Sequence, residues 1–369
     1  MQFLRPSRLA QSVSGFRTVS GLPEQRPAEH SSRMGTTGTE GGSFVISLDF
    51  ELMWGVRDHA TRESYGGNVL GGRKAIPTML DLFQRRGIRA TWATVGALLC
   101  ESKDELLARA KEAEAGGSRI AGLEDIGSDE RRDPYYFGAS LARLIASCEG
   151  QEIGTHTFSH RCALEQEETV EGFAADVAAA LTQLNAWKIR CRSIVFPRNQ
   201  YGPAHLEACR ALGLSHFRGN ERAWFYAPAP GREQTKVRRL CRLADSYIDL
   251  SGPNIAQPGR GDEPLANVAS SRFLRPFDRR LAPLDGFRLR RIEKAMQAAA
   301  KWGGTFHLWW HPENFGRNLA ENLAILTKIL ELFDKLQAKH GMQSRAMHEI
   351  AGPALSAARA PSPATALAS

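Results

Sequence analysis

The chain of 369 residues lacks any run of about 18 uninterrupted apolar residues, so the sequence offers no membrane-spanning helix. Even the richest window, Phe306 to Trp310, is broken within a few positions by His, Pro or charge. Cysteine is sparse. Cys100, Cys148, Cys162, Cys191, Cys209 and Cys241 are scattered without a C-x-x-C pair, which argues against both a disulfide framework and a thiolate zinc site. Also missing are a G-x-S-x-G elbow, a G-x-x-x-x-G-K-[ST] loop, and any Lys/Arg block interleaved with aromatics that could track a phosphate backbone. With 48 Lys+Arg against 40 Asp+Glu the surplus is mild, and nucleic acid is not an expected partner.

What is present is an ordinary globular composition, 42% hydrophobic and 24% charged. Residues 1–43 set five Arg and three Glu among Ser, Thr, Gly and Pro, and read as a disordered extension with Met34 as an alternative start. Their Arg/Ser-rich composition is faintly that of a transit peptide. Residues 352–369, rich in Ala, Pro and Ser, read as a second tail. Between them, short apolar runs alternate with segments of helical period. Strands are expected at Phe44–Phe50, Ala90–Val95, Glu152–Thr155, Ser193–Phe196, His216–Arg218 and Thr305–Trp310. Helices are expected at Arg73–Arg86, Lys103–Ala115, Tyr136–Glu149, Thr169–Trp187, Pro203–Leu212, Pro283–Trp302 and Asn318–Lys339. This alternation predicts an α/β protein with a mostly parallel sheet, a single barrel-sized domain over 44–351. The glycine-rich stretch Gly66 to Arg73 reads as a flexible entry loop. The Pro/Gly- and Arg-rich segment 220–278 has no secure place on the barrel and is a lid candidate.

In parallel sheets chemistry collects where strands end. His156 and His160 follow the third expected strand, and a turn of backbone there would bring both imidazoles to one cation, roughly 6 Å apart along the axis. His307 and His311 have the same spacing but lie on a β run, where four residues cover roughly 13 Å, so they cannot share a metal. His307 is expected to be a packed core or supporting histidine. Asp49 and Glu51 close the first strand and project to one side, where two like charges call for a cation. Glu51, His156 and His160 are therefore the candidate ligands of a divalent metal. Two His and one carboxylate leave positions open for water, as in catalytic sites. Asp49 is placed to take a proton from metal-activated water, and His311, ending the last strand, to protonate a leaving amine. Trp54, Trp309 and Trp310 are candidates for an apolar floor under a sugar ring, against a plain core role. Arg198 is a candidate to hold the catalytic Asp or grip an anionic group. Cys162 reads as a bystander.

These residues resemble the motifs of the polysaccharide deacetylase superfamily (carbohydrate esterase family 4, the chitooligosaccharide deacetylase homology domain). Ser47-Leu48-Asp49-Phe50-Glu51 is similar to its first motif, Ala90 to Gly96 to its second strand, and His156-Thr157-Phe158-Ser159-His160 to its metal-binding H-[ST]-x-x-H motif. Ile194 to Gly202 is similar to its third motif, and His311 matches the general acid of its last. The resemblance implies a distorted (β/α)7 TIM-like barrel and metal-dependent removal of an acetyl or formyl group from an amino sugar. It makes Asp49 the base, Glu51, His156 and His160 the metal triad, and His311 the acid. The metal would be Zn2+, with Co2+, Mn2+ and Ni2+ as alternatives. Two departures stand out. Asp-Phe-Glu replaces the usual adjacent aspartates, leaving open which carboxylate binds the metal, and Phe-Pro-Arg-Asn-Gln replaces the usual Arg-x-Pro pattern, leaving the role of Arg198 open. The Trp-Trp-His-Pro-Glu-Asn-Phe segment is similar to bacterial relatives that act on O-antigen or capsule precursors. The expected partner is an amino-sugar glycan, sugar-nucleotide or lipid-linked glycan, met in the cytoplasm or at a membrane surface. The competing expectations are a metal-free cyclic amide hydrolase of the allantoinase-like branch and a non-catalytic carbohydrate-binding module.

Overall fold

Alternation within the first strand sets the geometry. In β1 (Ser43–Phe50), Phe44, Ile46, Leu48 and Phe50 face one way into the main apolar core, while Val45, Ser47 and Asp49 face the other. The same two-residue period sorts β8 (Thr305–Trp310): Phe306, Leu308 and Trp310 join the outer core, leaving His307, Trp309 and, just beyond the strand, His311 on the inner side. The computed structural model describes residues 41–257 and 263–351, and these belong to one compact unit. The expected tails, 1–43 and 352–369, lie outside the described residues apart from 41–43.

β1 pairs in parallel with β8 and with β2 (Ala90–Thr94), and the sheet continues through β3 (Gln151–Thr155), β4 (Ser193–Ile194) and β5 (His216–Phe217). Closure is made by a stretch the sequence reading left unassigned. β6 (Ala266–Asn267) pairs with β5 and β7 (Arg272–Phe273) pairs with β8. Between them Val268 N and Ser270 N donate to Phe217 O and Gly219 O, and Ser271 N donates to His307 O. One extended stretch thus passes from the β5 edge to the β8 edge, and seven positions close the distorted (β/α)7 barrel. β9 (Gln343–Arg345) pairs with Ser43–Val45 of β1, below the point where β2 takes over at Ile46.

The helices α1 (Arg62–Arg85), α2 (Lys103–Ala115), α3 (Ala139–Ser147), α4 (Val170–Ala186), α5 (Pro203–Ala211), α6 (Lys236–Asp245), α7 (Asp285–Trp302) and α8 (Leu319–His340) connect or flank the strands. Inside the barrel, Val45, Ala93, Val195 and Val268 meet Met347 and Ile350, which plug the end opposite the site. The expected loop Gly66–Arg73 is instead part of α1, which starts earlier, at a Thr61/Ser64 capping box. Its glycines serve close approach. A Cβ at Gly71 would lie 2.3 Å from Gly316 O, and one at Gly72 would lie 2.8 Å from Glu313 Cα. The intrinsic cost of helical glycine is offset by seating α1 on the turn that follows β8.

The 220–278 segment is anchored by a buried charge. Asp245, fully buried at the end of α6, accepts bonds from Arg272 and Arg291 at 2.7 Å each, from Tyr226 Oη at 3.0 Å and from the N–H and hydroxyl of Ser251. On this anchor α6 is turned about: Val237 and Leu240 are exposed, while Arg242, Leu243 and Ser246 line a cavity. No described helix is long and apolar enough to cross a membrane.

Candidate active site

The inward residues of the strand ends meet at one mouth of the barrel. Asp49 and Glu51 rise from β1, His156 and His160 from the loop after β3, Arg198 and Asn199 from the loop after β4, and Trp309 and His311 from β8, around a cavity of about 270 Å³, with Arg218, from the end of β5, buried behind Asp49. Of the seven non-glycine residues with positive φ among those described, five (Leu52, Thr157, His160, Arg198 and Asn199) lie in the loops that line or border it. Strain of this kind persists only where surrounding contacts hold it.

The histidine pair converges, though not through a helical turn. Thr157 and His160, at φ 62 and 63, fold the loop back, and Asp176 of α4 fixes it by accepting from Phe158 N (2.7 Å), Ser159 N (3.0 Å) and Ser159 Oγ (2.6 Å). Asp176 is fully buried, and its signal was legible: a carboxylate beside Phe173 and Val177 on the apolar face of a helix. His156 Nε2 and His160 Nε2 come within 3.2 and 3.1 Å of Glu51 Oε2, and the three ligand atoms lie within 4.8 Å of one another.

Proton accounting shows what these atoms lack. His156 Nδ1 donates to Val195 O at 2.7 Å, so in the neutral ring Nε2 is a bare acceptor aimed at another acceptor. Glu51 Oε2 is buried without a hydrogen-bond donor. Burial would raise the Glu51 carboxyl, but the imidazoles around it, His311 and His160 first, hold it well below the usual range. An ionised Glu51 therefore needs positive charge between it and the rings. Burial pushes the His160 imidazole down, which opposes supplying that charge as a proton. A divalent cation would satisfy all three ligand atoms, an N/O set of the kind that holds zinc with positions left open. The site also excludes bulk: a Cβ at Gly55 would sit 1.9 Å from Glu51 Oε1.

Asp49 is held by an arginine other than the expected one. Arg218 Nη1 and Nη2 donate to Asp49 Oδ1 and Oδ2 at 2.6 and 2.8 Å, and both side chains are almost fully buried. Arg218 also donates to Ser47 Oγ and Asn199 Oδ1 at 3.0 Å each, and its guanidinium lies 4.1 Å from the centre of the Trp309 ring. Burial would raise the Asp49 carboxyl, but Arg218, with His156 and His311 nearby, holds it below its ordinary value. The sequence reading had Arg198 as a candidate for this task. In the structure Arg198 pairs with Asp58 at the rim. Arg218 ends the expected strand His216–Arg218, so the strand-end rule itself pointed to it.

His311 Nε2 lies 3.4 Å from Glu51 Oε1 and 3.7 Å from Asp49 Oδ2. Its Nδ1 faces the Asn314 amide at 3.3 Å, which places the ring proton on Nε2, toward the carboxylates. His307 is fully buried, and burial, with the charge of Arg218 nearby, pushes its imidazole to about 3. It bonds Val268 O and Ser47 Oγ at 2.8 Å each and supports the Ser47–Arg218 contact. Trp54 and Trp310 are core residues, whereas Trp309 lines the cavity. Sequence reasoning missed Glu313. It is fully buried and accepts from Leu52 N at 2.7 Å, and burial together with the charge of Glu51 pushes its carboxyl up to about 8. Cys162, half-buried, donates to His160 O within its own loop, and burial pushes its thiol up to about 12.

No family model and no curated protein matches the sequence. Solved structures match in three dimensions. A protein described as a polysaccharide deacetylase from Mycobacterium smegmatis aligns with a TM-score of 0.52 at 13% identity, over 84% of this chain and 88% of that one. A 4-alpha-glucanotransferase from Thermococcus litoralis aligns at 0.45 and 12% identity, over 84% of this chain and 39% of that one. A CE4 family pseudoenzyme from Bacillus anthracis aligns at 0.40 and 9%, over 86% and 67%. The first likeness shows that the chain shares the fold of a protein so described. Fold does not carry activity, so the chemistry rests on the residues.

Proposed function

We propose that this chain is a metal-dependent hydrolase that removes an acetyl or formyl group from the nitrogen of an amino sugar in a polysaccharide or glycan precursor. The observation that carries the reading is the convergence of Glu51 Oε2, His156 Nε2 and His160 Nε2 within 4.8 Å of one another, with Glu51 Oε2 buried and lacking a hydrogen-bond partner, beside a carboxylate fixed by Arg218 and the His311 imidazole that faces it. When bound there, a divalent cation, zinc by preference for this N/O donor set, supplies Lewis-acid polarisation of the acyl oxygen and acidifies water. Asp49, kept ionised and oriented by Arg218, accepts the proton of the attacking water. His311, with Nδ1 engaged by Asn314, offers its Nε2 proton to the departing nitrogen. Trp309 supplies an apolar wall for the sugar ring, and the arginines of the adjoining cavity favour a phosphate-bearing substrate, a sugar-nucleotide or a lipid-linked glycan met on the cytoplasmic side.

The test is metal analysis of the full chain together with release of free amine from N-acylated amino sugars. His156→Ala should lose both metal and turnover, whereas Asp49→Asn should keep the metal and lose turnover. A protein that binds no divalent ion, and in which zinc, cobalt or manganese restores no hydrolysis, would overturn the reading. Sugar binding without amine release would leave a carbohydrate-binding module.

A further inference from the structure

Next to the reaction centre lies a larger cavity, of about 600 Å³, which shares Arg198, Asn199 and Trp309 with the smaller one. A ligand seated at Glu51 and His311 can therefore extend into it past Trp309. Five arginines line it, Arg198, Arg239, Arg242, Arg272 and Arg275, against a single acid, Glu221. Two of the five are already neutralised, Arg198 by Asp58 and Arg272 by Asp245. For Arg239, Arg242 and Arg275 there is no carboxylate partner among the described residues. Arg242 reaches Arg238 O and Gln234 Oε1, which are neutral, and its guanidinium is pushed down by burial and by the charges of Arg238 and Arg239. Glu221 is buried, which raises its carboxyl against a bond from Ser270 and the charges of Arg272 and Arg218, and even when ionised it is one acid beside three arginines that have no carboxylate partner. Guanidinium groups lining one cavity in excess of its carboxylates call for an anionic ligand.

We propose that this cavity is a phosphoryl-binding subsite, in which Arg239, Arg242 and Arg275 hold the phosphate or diphosphate of the substrate while its acylamino sugar reaches the reaction centre. Three guanidinium charges suit a phosphoryl dianion or a diphosphate better than a single carboxylate, because a free planar fork can meet two of its oxygens. Arg242 is fixed on its carbonyl partners, whereas Arg239 and Arg275 keep their forks for the ligand. The subsite rests on the hydrolase reading for the identity of its ligand but not for its affinity for phosphate.

The experiment is calorimetric titration of the full chain with inorganic pyrophosphate, repeated on the double variant Arg239→Gln/Arg275→Gln. Among the described residues neither side chain makes a hydrogen bond or ion pair, so this variant should fold. Saturable binding that weakens roughly tenfold or more in the double variant is the expected result. Binding that is absent in the wild type, or equal in the two proteins, would overturn the subsite. His156→Ala, which removes a cation ligand, should bind pyrophosphate as before; loss of binding there would place the anion on the metal instead and also overturn the subsite. Competition separates the sources of the phosphoryl group. A nucleoside diphosphate, a sugar 1-phosphate and a polyprenyl phosphate are each tried, the last because Val237 and Leu240 lie exposed on the outer side of α6. Displacement of pyrophosphate by any of these supports the subsite and names its source, and displacement by none counts against it. Arginine-dependent pyrophosphate binding without hydrolysis of any N-acylated sugar would retain the subsite and refute the hydrolase. Equal hydrolysis of neutral and phosphorylated sugars, unchanged in the double variant, would do the reverse.

Discussion

Replacing Arg218 with methionine tests the assignment of the arginine that serves Asp49. The change removes two charge-assisted bonds, at 2.6 and 2.8 Å, from a carboxylate that keeps its burial. Breaking a buried pair on one side costs about 3–5 kcal/mol, because the remaining charge is left uncompensated. In a domain of this size each kcal/mol shifts Tm by roughly 2 °C, so a loss of about 6–10 °C is expected at pH 7. The pH dependence gives an independent sign. In the wild type the Asp49 carboxyl lies below its ordinary value, so its ionised form contributes stability that is present above the unfolded-chain value and is lost as pH falls through the folded one. Without Arg218 burial dominates and the carboxyl moves above its ordinary value. The variant should then recover stability relative to wild type on acidification from pH 7 toward 5. Adding Asp49→Asn to the variant should restore part of the loss at neutral pH. Arg198→Met is the control: its pair with Asp58 is half exposed and worth about 1 kcal/mol or less. Thermal melts at pH 5, 6 and 7 on the four proteins decide it. Equal losses in the two arginine variants, or no recovery of Arg218→Met at low pH, would refute the reasoning.

Gly55→Ala should cut divalent-metal affinity at least tenfold, read by calorimetry with zinc, because the new Cβ would overlap Glu51 Oε1 at 1.9 Å and force the carboxylate away from the imidazoles; unchanged affinity would remove Glu51 from the ligand set. Glu313, with its folded carboxyl near 8, contributes stability that is complete below the unfolded value near 4.5 and declines as pH rises to about 8, by about 1.4 kcal/mol per unit. In metal-free protein Glu313→Gln should remove that decline, so variant and wild type should diverge in Tm as pH rises from 5 to 8, and parallel curves would contradict it. Asp176→Ala should release the loop 157–160, lower zinc affinity and cost about 2–3 kcal/mol, since three loop donors and the Ser118 hydroxyl lose their acceptor; retention of both would show that Thr157 and His160 hold their positive φ unaided.

Much of this molecule was legible in one dimension. The alternation of apolar runs and helical periods predicted an α/β protein with a mostly parallel sheet, because strands buried on both faces leave a composition that no tertiary detail changes, and the resemblance of the motifs implied the barrel. The two-residue period along β1 put Asp49 and Glu51 on one side, and the spacing of His156 and His160 marked them as partners, whereas Trp309 and Trp310, grouped together in the sequence, are separated by the structure into a cavity-lining and a core residue. What stayed hidden depends on contacts between distant segments. Only the barrel brings Arg218 to Asp49, 169 positions away, while Arg198, nearer in motif, pairs with Asp58 at the rim of the cavity. Only the turn after β8 makes a helix of the glycines of α1, since local propensity disfavours it and the stabilising surface lies some 240 residues downstream. Short strands such as β6 and β7 carry no periodicity of their own and exist because two edges need joining. The sequence by itself determined which residue types could do chemistry and on which strands they stand. The tertiary structure decided which of them meet, because the charge balance of a buried site is settled by neighbours that the chain supplies from every side of the barrel.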